Sequence, residues 1–258
     1  MITIKSDKEI KLLQAAGRRL ALVLSELKKL CYPGISAAEL DRRAGYLMKK
    51  YHSRPSFFKY RPAPHLKPYP ANICVSVNET IVHGIPKEKI VFKEGDLVTV
   101  DAGLIYAEMY VDSAFTVGIG KIPAKTKKLI KATEKALEAG IKQCLVGKTI
   151  GDIGFAIETT IKKSGFSVVK DLVGHGVGYA VHEEPAVPNF GKKNQGVKLE
   201  PGMILALEPM ACFGSGEILE LEDGSFITLD NSLSAQSEHT VVITQDKPLV
   251  VTELKSIK

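Results

Sequence analysis

The 258-residue sequence predicts an α+β domain in which helices pack on a shared antiparallel sheet, in two pseudo-symmetric halves. Three observations predict it. The hydrophobic periodicity runs helix, helix, strands, helix, helix, strands, which suggests a duplication. Cys31-x-x-Gly34-x-Ser36-x-x-x-Leu40, ending in Lys49 and Lys50, matches Cys144-x-x-Gly147-x-Thr149-x-x-x-Ile153, ending in Lys162 and Lys163, at a single offset. EGDLVTVD (Glu94–Asp101) resembles PGMILALE (Pro201–Glu208), and each delivers a carboxylate six residues after a strand-opening glycine. The halves divide as 1–121 and 122–258, and no linker composition separates them, so one domain over 1–258 is expected.

The elements follow in order. Ser6 stands three residues before Glu9, the spacing of a capping box. Ile10, Leu13, Leu20, Val23, Leu24 and Leu27 then recur at helical spacing, and Pro33-Gly34 stops the helix. Ser36 and Glu39 have the same capping spacing and open a second helix to about Tyr51. A loop from Pro55 to Pro70 contains five prolines. Ile73–Val77 alternates like a strand, Ile90–Phe92 is a short apolar run, and Leu97–Gly103 with Tyr110–Val117 reads as a strand and its return. Helices are expected over 124–144 and 150–164. Strand patterns resume at Ser167–Val169, Met203–Glu208 and Glu238–Thr244.

Composition narrows the class. Hydrophobic residues at 45% and charged residues at 25% exclude a disordered, collagenous or coiled-coil chain. The run Leu20–Leu24 is far too short to span a bilayer, and MITIKSDKEI lacks the apolar core of a secretory signal. A cytoplasmic protein with no membrane partner is expected. Cys31, Cys74, Cys144 and Cys212 form no C-x-x-C pair and read as reduced thiols. Lys and Arg number 35 against 29 Asp and Glu, a net charge of +6 that permits contact with ribosomal RNA. The basic residues fall on expected helices: Lys5, Lys8, Lys11, Arg18 and Arg19 in the first, and Lys125, Lys127, Lys128, Lys131 and Lys135 in a later one. Their simplest reading is a solvated helix face.

Four acids interrupt apolar strands, where acids are disfavoured: Asp101, Asp112, Glu208 and Glu238. Taken singly, each fits a surface or salt-bridged acid. Gathered in one core, they carry a charge of −4 that needs cations, and two divalent ions balance it. His175 lies among three glycines in GHGVG (Gly174–Gly178), which permit close backbone approach. That segment lacks the spacing of a dinucleotide fingerprint, and His182-Glu-Glu-Pro-Ala186 is not a zinc-binding helix, because Pro185 breaks it. His52 and His65 read as ordinary loop residues, and His239 is expected to point away from Glu238 across its strand. His83 and His182 have no evident structural role. Oxygen-rich ligands with one imidazole suit Mn, Fe, Co or Zn.

With these residues in place, the sequence resembles the type I methionine aminopeptidases. The matching motifs are CVSVNETIVHGIP (Cys74–Pro86), GDLVTVDAG with YVDSAFTVGIG (Gly95–Gly120), GHGVGYAVHEEP (Gly174–Pro185), LEPGMILALEPM (Leu199–Met210) and SLSAQSEHTVVIT (Ser232–Thr244). Only 25 residues separate His182 from Glu208, which leaves no room for the helical insertion of type II relatives. The resemblance implies the pita-bread fold, a curved antiparallel sheet covered by helices, and a site of two divalent metal ions. By it, Asp101, Asp112, His175, Glu208 and Glu238 would be the ligands, with Asp112 and Glu238 bridging. A water between the ions would attack the first peptide bond, Glu208 would act as general base, and His83 with His182 would hydrogen-bond the scissile amide. Cys74 and Tyr69 would line the methionine slot, and Phe226 would replace a tryptophan that this chain lacks. Asn78 and Ser234 match a monovalent-cation site of some relatives. Val181 and Tyr179 stand where an aromatic residue and an arginine are common, and the 57–69 loop is longer than usual. The implied substrates are peptides and nascent chains with N-terminal methionine, met by a monomer with ribosome contact through the basic helices. Two other readings remain: a proline-specific peptidase of the same fold, and a non-catalytic ribosome- or RNA-binding paralogue.

Overall fold

The computed structural model describes residues 1–61, 63 and 67–254. The first part of the chain forms α1 (Asp7–Lys29), α2 (Ala37–Lys50), β1 (Arg54–Pro55), β2 (Cys74–Val77), β3 (Thr80–Val82), β4 (Leu97–Tyr106) and β5 (Met109–Gly118). Then come α3 (Ala124–Ile141), α4 (Ile150–Lys163), β6 (Ser167–Val168), β7 (Val173–Gly176), β8 (Glu183–Pro188), β9 (Ile204–Leu207) and β10 (Met210–Cys212). The last strands are β11 (Ile218–Glu220), β12 (Phe226–Thr228), β13 (Ser234–Gln236), β14 (His239–Val242) and β15 (Leu249–Val250). Among the described residues no helix is long and apolar enough to cross a membrane.

Local chemistry sets the helix ends. Ser6 and Glu9 form a reciprocal capping box at α1, and Thr149 and Asp152 form another at α4. At α2 the Ser36 hydroxyl accepts from Glu39 N, while its own hydroxyl donates to Glu88 at 3.1 Å. The expected 124–144 helix ends at Ile141, because the next residues tighten into a turn in which Cys144 N–H donates to the Ile141 carbonyl. Lys5, expected with the other basic residues on the solvated face of the first helix, instead precedes α1 and is 3% exposed. The expectation for His65 lies outside the described residues.

Two pairings position the site. β4 lies between β2 and β5, with Cys74 opposite Asp101, Asp101 opposite Ala114, and Gly103 opposite Asp112. Asp101 and Asp112 are therefore diagonal neighbours on one face. A five-stranded sheet runs β15-β14-β9-β7-β8, with His175 opposite Ala206, two residues before Glu208. The first helix pair packs its apolar face on the β2-β4-β5 layer through Leu13, Leu20, Leu40 and Leu47 with Val100 and Val111. The second packs Leu129, Ile153 and Ile157 against Leu205, Leu207 and Val241. Corresponding details recur in the two parts. Gly34 and Gly147, with φ +99° and +84°, follow the first and third helices, and Gly95 and Gly202, with φ +96° and +89°, precede β4 and β9. Ser36 bridges Val91 as Thr149 bridges Lys198.

The two sheets meet along a polar seam between β5 and the chain around β14. Asp112 N donates to Thr240 Oγ1 at 2.8 Å, and that hydroxyl donates to the Asp112 carbonyl at 2.7 Å. Ser113 Oγ donates to the Glu238 carbonyl at 2.7 Å, and Glu238 N donates to the Ala114 carbonyl at 3.0 Å. Thr116 Oγ1 donates to the Gln236 carbonyl at 2.7 Å and accepts from Gln236 N at 2.9 Å, with the Thr99 hydroxyl 2.7 Å away. A buried backbone group that loses its partner costs about 1–3 kcal/mol. Thr116→Val keeps the shape and removes these bonds, so it should lower the unfolding free energy by about 1–3 kcal/mol in denaturant titration. An unchanged midpoint would show that the seam does not hold the sheets together.

Candidate metal centre

The strand alternation that fills the core with Val98, Val100 and Ala102 sends Asp101 to the opposite face, where Asp112 meets it across the hairpin. The seam brings Glu238 to the same place, and β7 and β9 bring His175 and Glu208. One ligand atom each from Asp112, His175 and Glu238 lies within 4.8 Å of the others. His175 Nε2 is 3.7 Å from Glu208 Oε1. Asp101 and Asp112 lie close enough for each carboxyl to shift the protonation of the other. The five expected ligand positions thus converge, and the histidine glycines explain how. A Cβ at Gly174 would lie 2.3 Å from the Ala206 carbonyl oxygen, and one at Gly176 would lie 2.3 Å from that of Glu184. Only glycine lets β7 lie this close to its neighbours.

The electrostatics identify what the cluster is for. Asp101, Asp112 and Glu238 are buried, and the Glu208 side chain is 12% accessible. Burial pushes the Asp101 carboxyl up to about 7. Burial, and then repulsion from neighbouring carboxyls, holds Asp112, Glu208 and Glu238 well above the usual range. Among the described residues no lysine or arginine pairs with any of the four. Asp101 Oδ1 is buried with no hydrogen-bond partner. Acidic oxygens packed together and left without a cation fit a bound metal ion. Burial lowers His175 to about 4, and its Nδ1 lies 2.9 Å from the Gly176 carbonyl. With Nδ1–H donating there, Nε2 is left with its lone pair directed at the acids, the usual arrangement of an imidazole ligand.

The surrounding residues divide into groups. His182 packs edge to face on His175, with ring centroids 4.5 Å apart, and burial lowers it to about 3, so the ring is neutral near pH 7. Its segment opens β8 as an extended strand, as the proline in HEEP requires. Burial also lowers His83, which stands at φ +59° with its ring 5.6 Å from Phe226. Cys74 and Tyr69 share an apolar cluster with Phe57, Tyr60 and Val181. The single Tyr69 O–H has two carbonyl acceptors within reach, those of Ile73 and Gly84 at 3.2 and 3.0 Å. Phe226 does not join that cluster; it packs with Ile81, Val82 and Met210. The Asn78 carboxamide is engaged with Asp96 and Leu97 N, so it is the carbonyls of Asn78 and Thr80 that face Ser234 Oγ, each at 3.1 Å. His239 turns from the acids toward Thr252 Oγ1, 2.9 Å away.

Several residues near the site were not singled out in the sequence. Gln236 Nε2 donates to Glu208 Oε2 at 3.3 Å, and Asn189 Nδ2 donates to the Glu208 carbonyl at 3.0 Å. The alternation that places Gln236 two residues before Glu238 could have revealed it. Tyr60 contacts His182 from a loop, with no periodic signal. Lys5 Nζ pairs with Glu183 Oε2 at 2.6 Å, and Thr3 Oγ1 donates to the same oxygen at 2.5 Å. Ala180 N donates to Glu183 Oε1 at 3.1 Å, and Tyr179 N donates to that same oxygen. This buried pair ties the first residues of the chain to the turn that carries His182.

Fold and acid cluster together define a metal-dependent hydrolase. Residues 11–245 match the profile of metallopeptidase family M24, and the chain belongs to that family. A methionine aminopeptidase of Clostridium acetobutylicum is 40% identical over 253 residues, 98% of this chain and 99% of that one. The crystal structure of a Thermotoga maritima methionine aminopeptidase superposes with TM-score 0.94 at 39% identity, covering 98% of this chain and 100% of the other. A prolidase of Pyrococcus furiosus superposes with TM-score 0.77 at 20% identity, and there the chain covers 66% of the other, a likeness of fold alone. The chain is a metal-dependent aminopeptidase of the type I methionine aminopeptidase kind, built on the pita-bread fold.

The raised carboxyls set a pH dependence. An unfolded chain releases these protons near pH 4, but the folded metal-free protein retains them, so its stability falls as pH rises through the folded values. The lowered histidines act in the opposite sense until the unfolded imidazoles have lost their protons, about one pH unit above 6.5. Metal-free protein should therefore lose stability above about pH 7.5, by up to about 1.4 kcal/mol per pH unit for each proton retained. Saturating divalent metal should remove the slope in denaturant unfolding. Stability that rises with pH in the metal-free form would contradict the assignment.

Proposed function

We propose that the chain removes N-terminal methionine from peptides and nascent chains, using two divalent ions (Co, Mn, Fe or Zn) held by Asp101, Asp112, His175, Glu208 and Glu238. The observation that carries this reading is the grouping of Asp112, His175 and Glu238, with Glu208 and Asp101 beside them and, among the described residues, no lysine or arginine salt-bridged to the acids. In this reading Asp112 and Glu238, each close to other carboxyls of the cluster, would be shared by the ions, and Asp101, His175 and Glu208 would complete their ligands. When bound, the ions lower the pKa of water and polarise the substrate carbonyl.

The protein groups do the rest. Glu208 accepts a proton from the attacking water and returns it to the leaving amine. Its Oε2 is oriented by Gln236 and its backbone by Asn189. His182 and His83, neutral near pH 7, hydrogen-bond the scissile amide and its developing oxyanion. The cluster of Cys74, Tyr69, Phe57, Tyr60 and Val181 adjoins the acids, since Cys74 pairs with Asp101, and it suits a methionine side chain. Burying that side chain is worth about 1.5–3 kcal/mol. Phe226 then acts through His83 on the far wall, outside that cluster. The carbonyls of Asn78 and Thr80 beside Ser234 suit a monovalent cation.

We read the chain as a monomeric domain of two related halves, supported by the paired glycine conformations and bridges. Ribosome contact would use the exposed lysines of α3, since Lys5 is engaged with Glu183.

Chelator-stripped protein should not cleave a Met-Ala-Ser peptide, and restoring a suitable divalent metal should release methionine. Xaa-Pro peptides should remain intact; their preferential cleavage would favour a proline-specific enzyme. Asp112→Ala should abolish turnover and lower bound metal per chain, and full activity in that variant would remove its bridging role. His182→Ala should reduce kcat about 10²–10³-fold with metal content unchanged. Loss of metal in that variant would instead make His182 a ligand.

A further inference from the structure

One ring nitrogen of His182 is already engaged. Its Nδ1 lies 2.7 Å from Tyr60 Oη, with the rings edge to face at 5.3 Å and 62°. Tyr60 is held there from several sides. Its N–H donates to the Phe57 carbonyl at 2.8 Å, and its carbonyl accepts from Tyr69 N at 2.8 Å. Lys59 N donates to the Tyr69 carbonyl at 2.9 Å, which closes a two-bond ladder across the loop. The Tyr60 ring packs with Phe57, Cys74 and Val181, and Val181 is the residue directly before His182. The hydroxyl thus meets the imidazole from a fixed direction.

Direction and chemistry decide who donates. An imidazole nitrogen lone pair is a better acceptor than a phenol oxygen, so the Tyr60 O–H donates and Nδ1 accepts. A neutral imidazole has one N–H, and with Nδ1 as acceptor that proton sits on Nε2. We propose that Tyr60 is a positioning residue for His182, fixing the tautomer whose Nε2–H donates to the oxygen of the scissile carbonyl. His182 then serves as a hydrogen-bond donor in the transition state and never as a base. The opposite tautomer would present a lone pair to the developing oxyanion and repel it. Glu183, bonded to Lys5, Thr3 and the backbone of Tyr179 and Ala180, secures the main chain of the same turn. Among the described residues, Tyr60 is the one that hydrogen-bonds the ring nitrogen.

The inference rests on His182 facing the substrate, and its test separates the two ideas. Tyr60→Phe keeps the ring and removes the hydroxyl. In the metal-loaded enzyme kcat for Met-Ala-Ser should fall about 10-fold with KM within about twofold, as for one lost oriented hydrogen bond. Nitrogen-15 NMR of histidine-labelled protein loaded with a diamagnetic divalent metal reads the tautomer directly, with His182→Gln assigning the signal. Wild type should show a protonated Nε2 and an accepting Nδ1, and Tyr60→Phe should show a mixture. On the His182→Gln background Tyr60→Phe should have no further effect on kcat. A proton on Nδ1 in wild type would overturn the proposal, as would an unchanged tautomer in Tyr60→Phe, or an equal loss of kcat on both backgrounds. If His182→Gln itself leaves kcat intact, the substrate-facing role of His182 fails, whatever the spectra show of Tyr60.

Discussion

Four carboxyl groups that repel one another are held in a single buried cluster, and the architecture serves that constraint. No acid in an apolar strand is stable by itself, and burial of several together raises each against ionisation. The opposing force comes from the seam, where hydroxyls of Thr240, Ser113 and Thr116 bind the backbone of Asp112, Glu238 and Gln236. These bonds join two sheets whose own cores face opposite helix pairs. A cation then reverses the sign of the electrostatics, turning mutual repulsion into shared attraction.

The histidines around the cluster show how position divides labour within one residue type. His175 gives Nδ1 to a carbonyl and keeps Nε2 for the acids. His182 meets a phenol at Nδ1 and packs its ring edge to face on His175. His239, beside Glu238 in the chain, turns away to Thr252. In each case the partner at one ring nitrogen assigns the task of the other. A metal-dependent aminopeptidase needs both kinds of group, one to hold cations and one to steady charge that appears only during reaction.

The acid positions were legible in the sequence because each breaks a local rule. Asp101 and Asp112 are the only charged residues in their strands, and His175 sits among glycines that a packed strand would otherwise disfavour. The starts of α1 and α2 were legible from their caps. The surroundings were not, because they depend on contacts between distant segments. Lys5 has the sequence context of a surface lysine, and only the folded chain brings Glu183 to it across 178 residues. Phe226 has the size of a pocket residue, yet the pairing of β12 with β3 places it beside His83 rather than Cys74. Tyr60 and Lys59 are held by backbone bonds to Tyr69, which no periodicity announces.

Anomalous diffraction from crystals of the manganese-loaded protein tests the central claim most directly. Two adjacent manganese peaks should lie among Asp101, Asp112, His175, Glu208 and Glu238, with the Asp112 and Glu238 carboxylates touching both. Manganese bound elsewhere on the surface, with the five side chains still packed together and bare, would contradict the account.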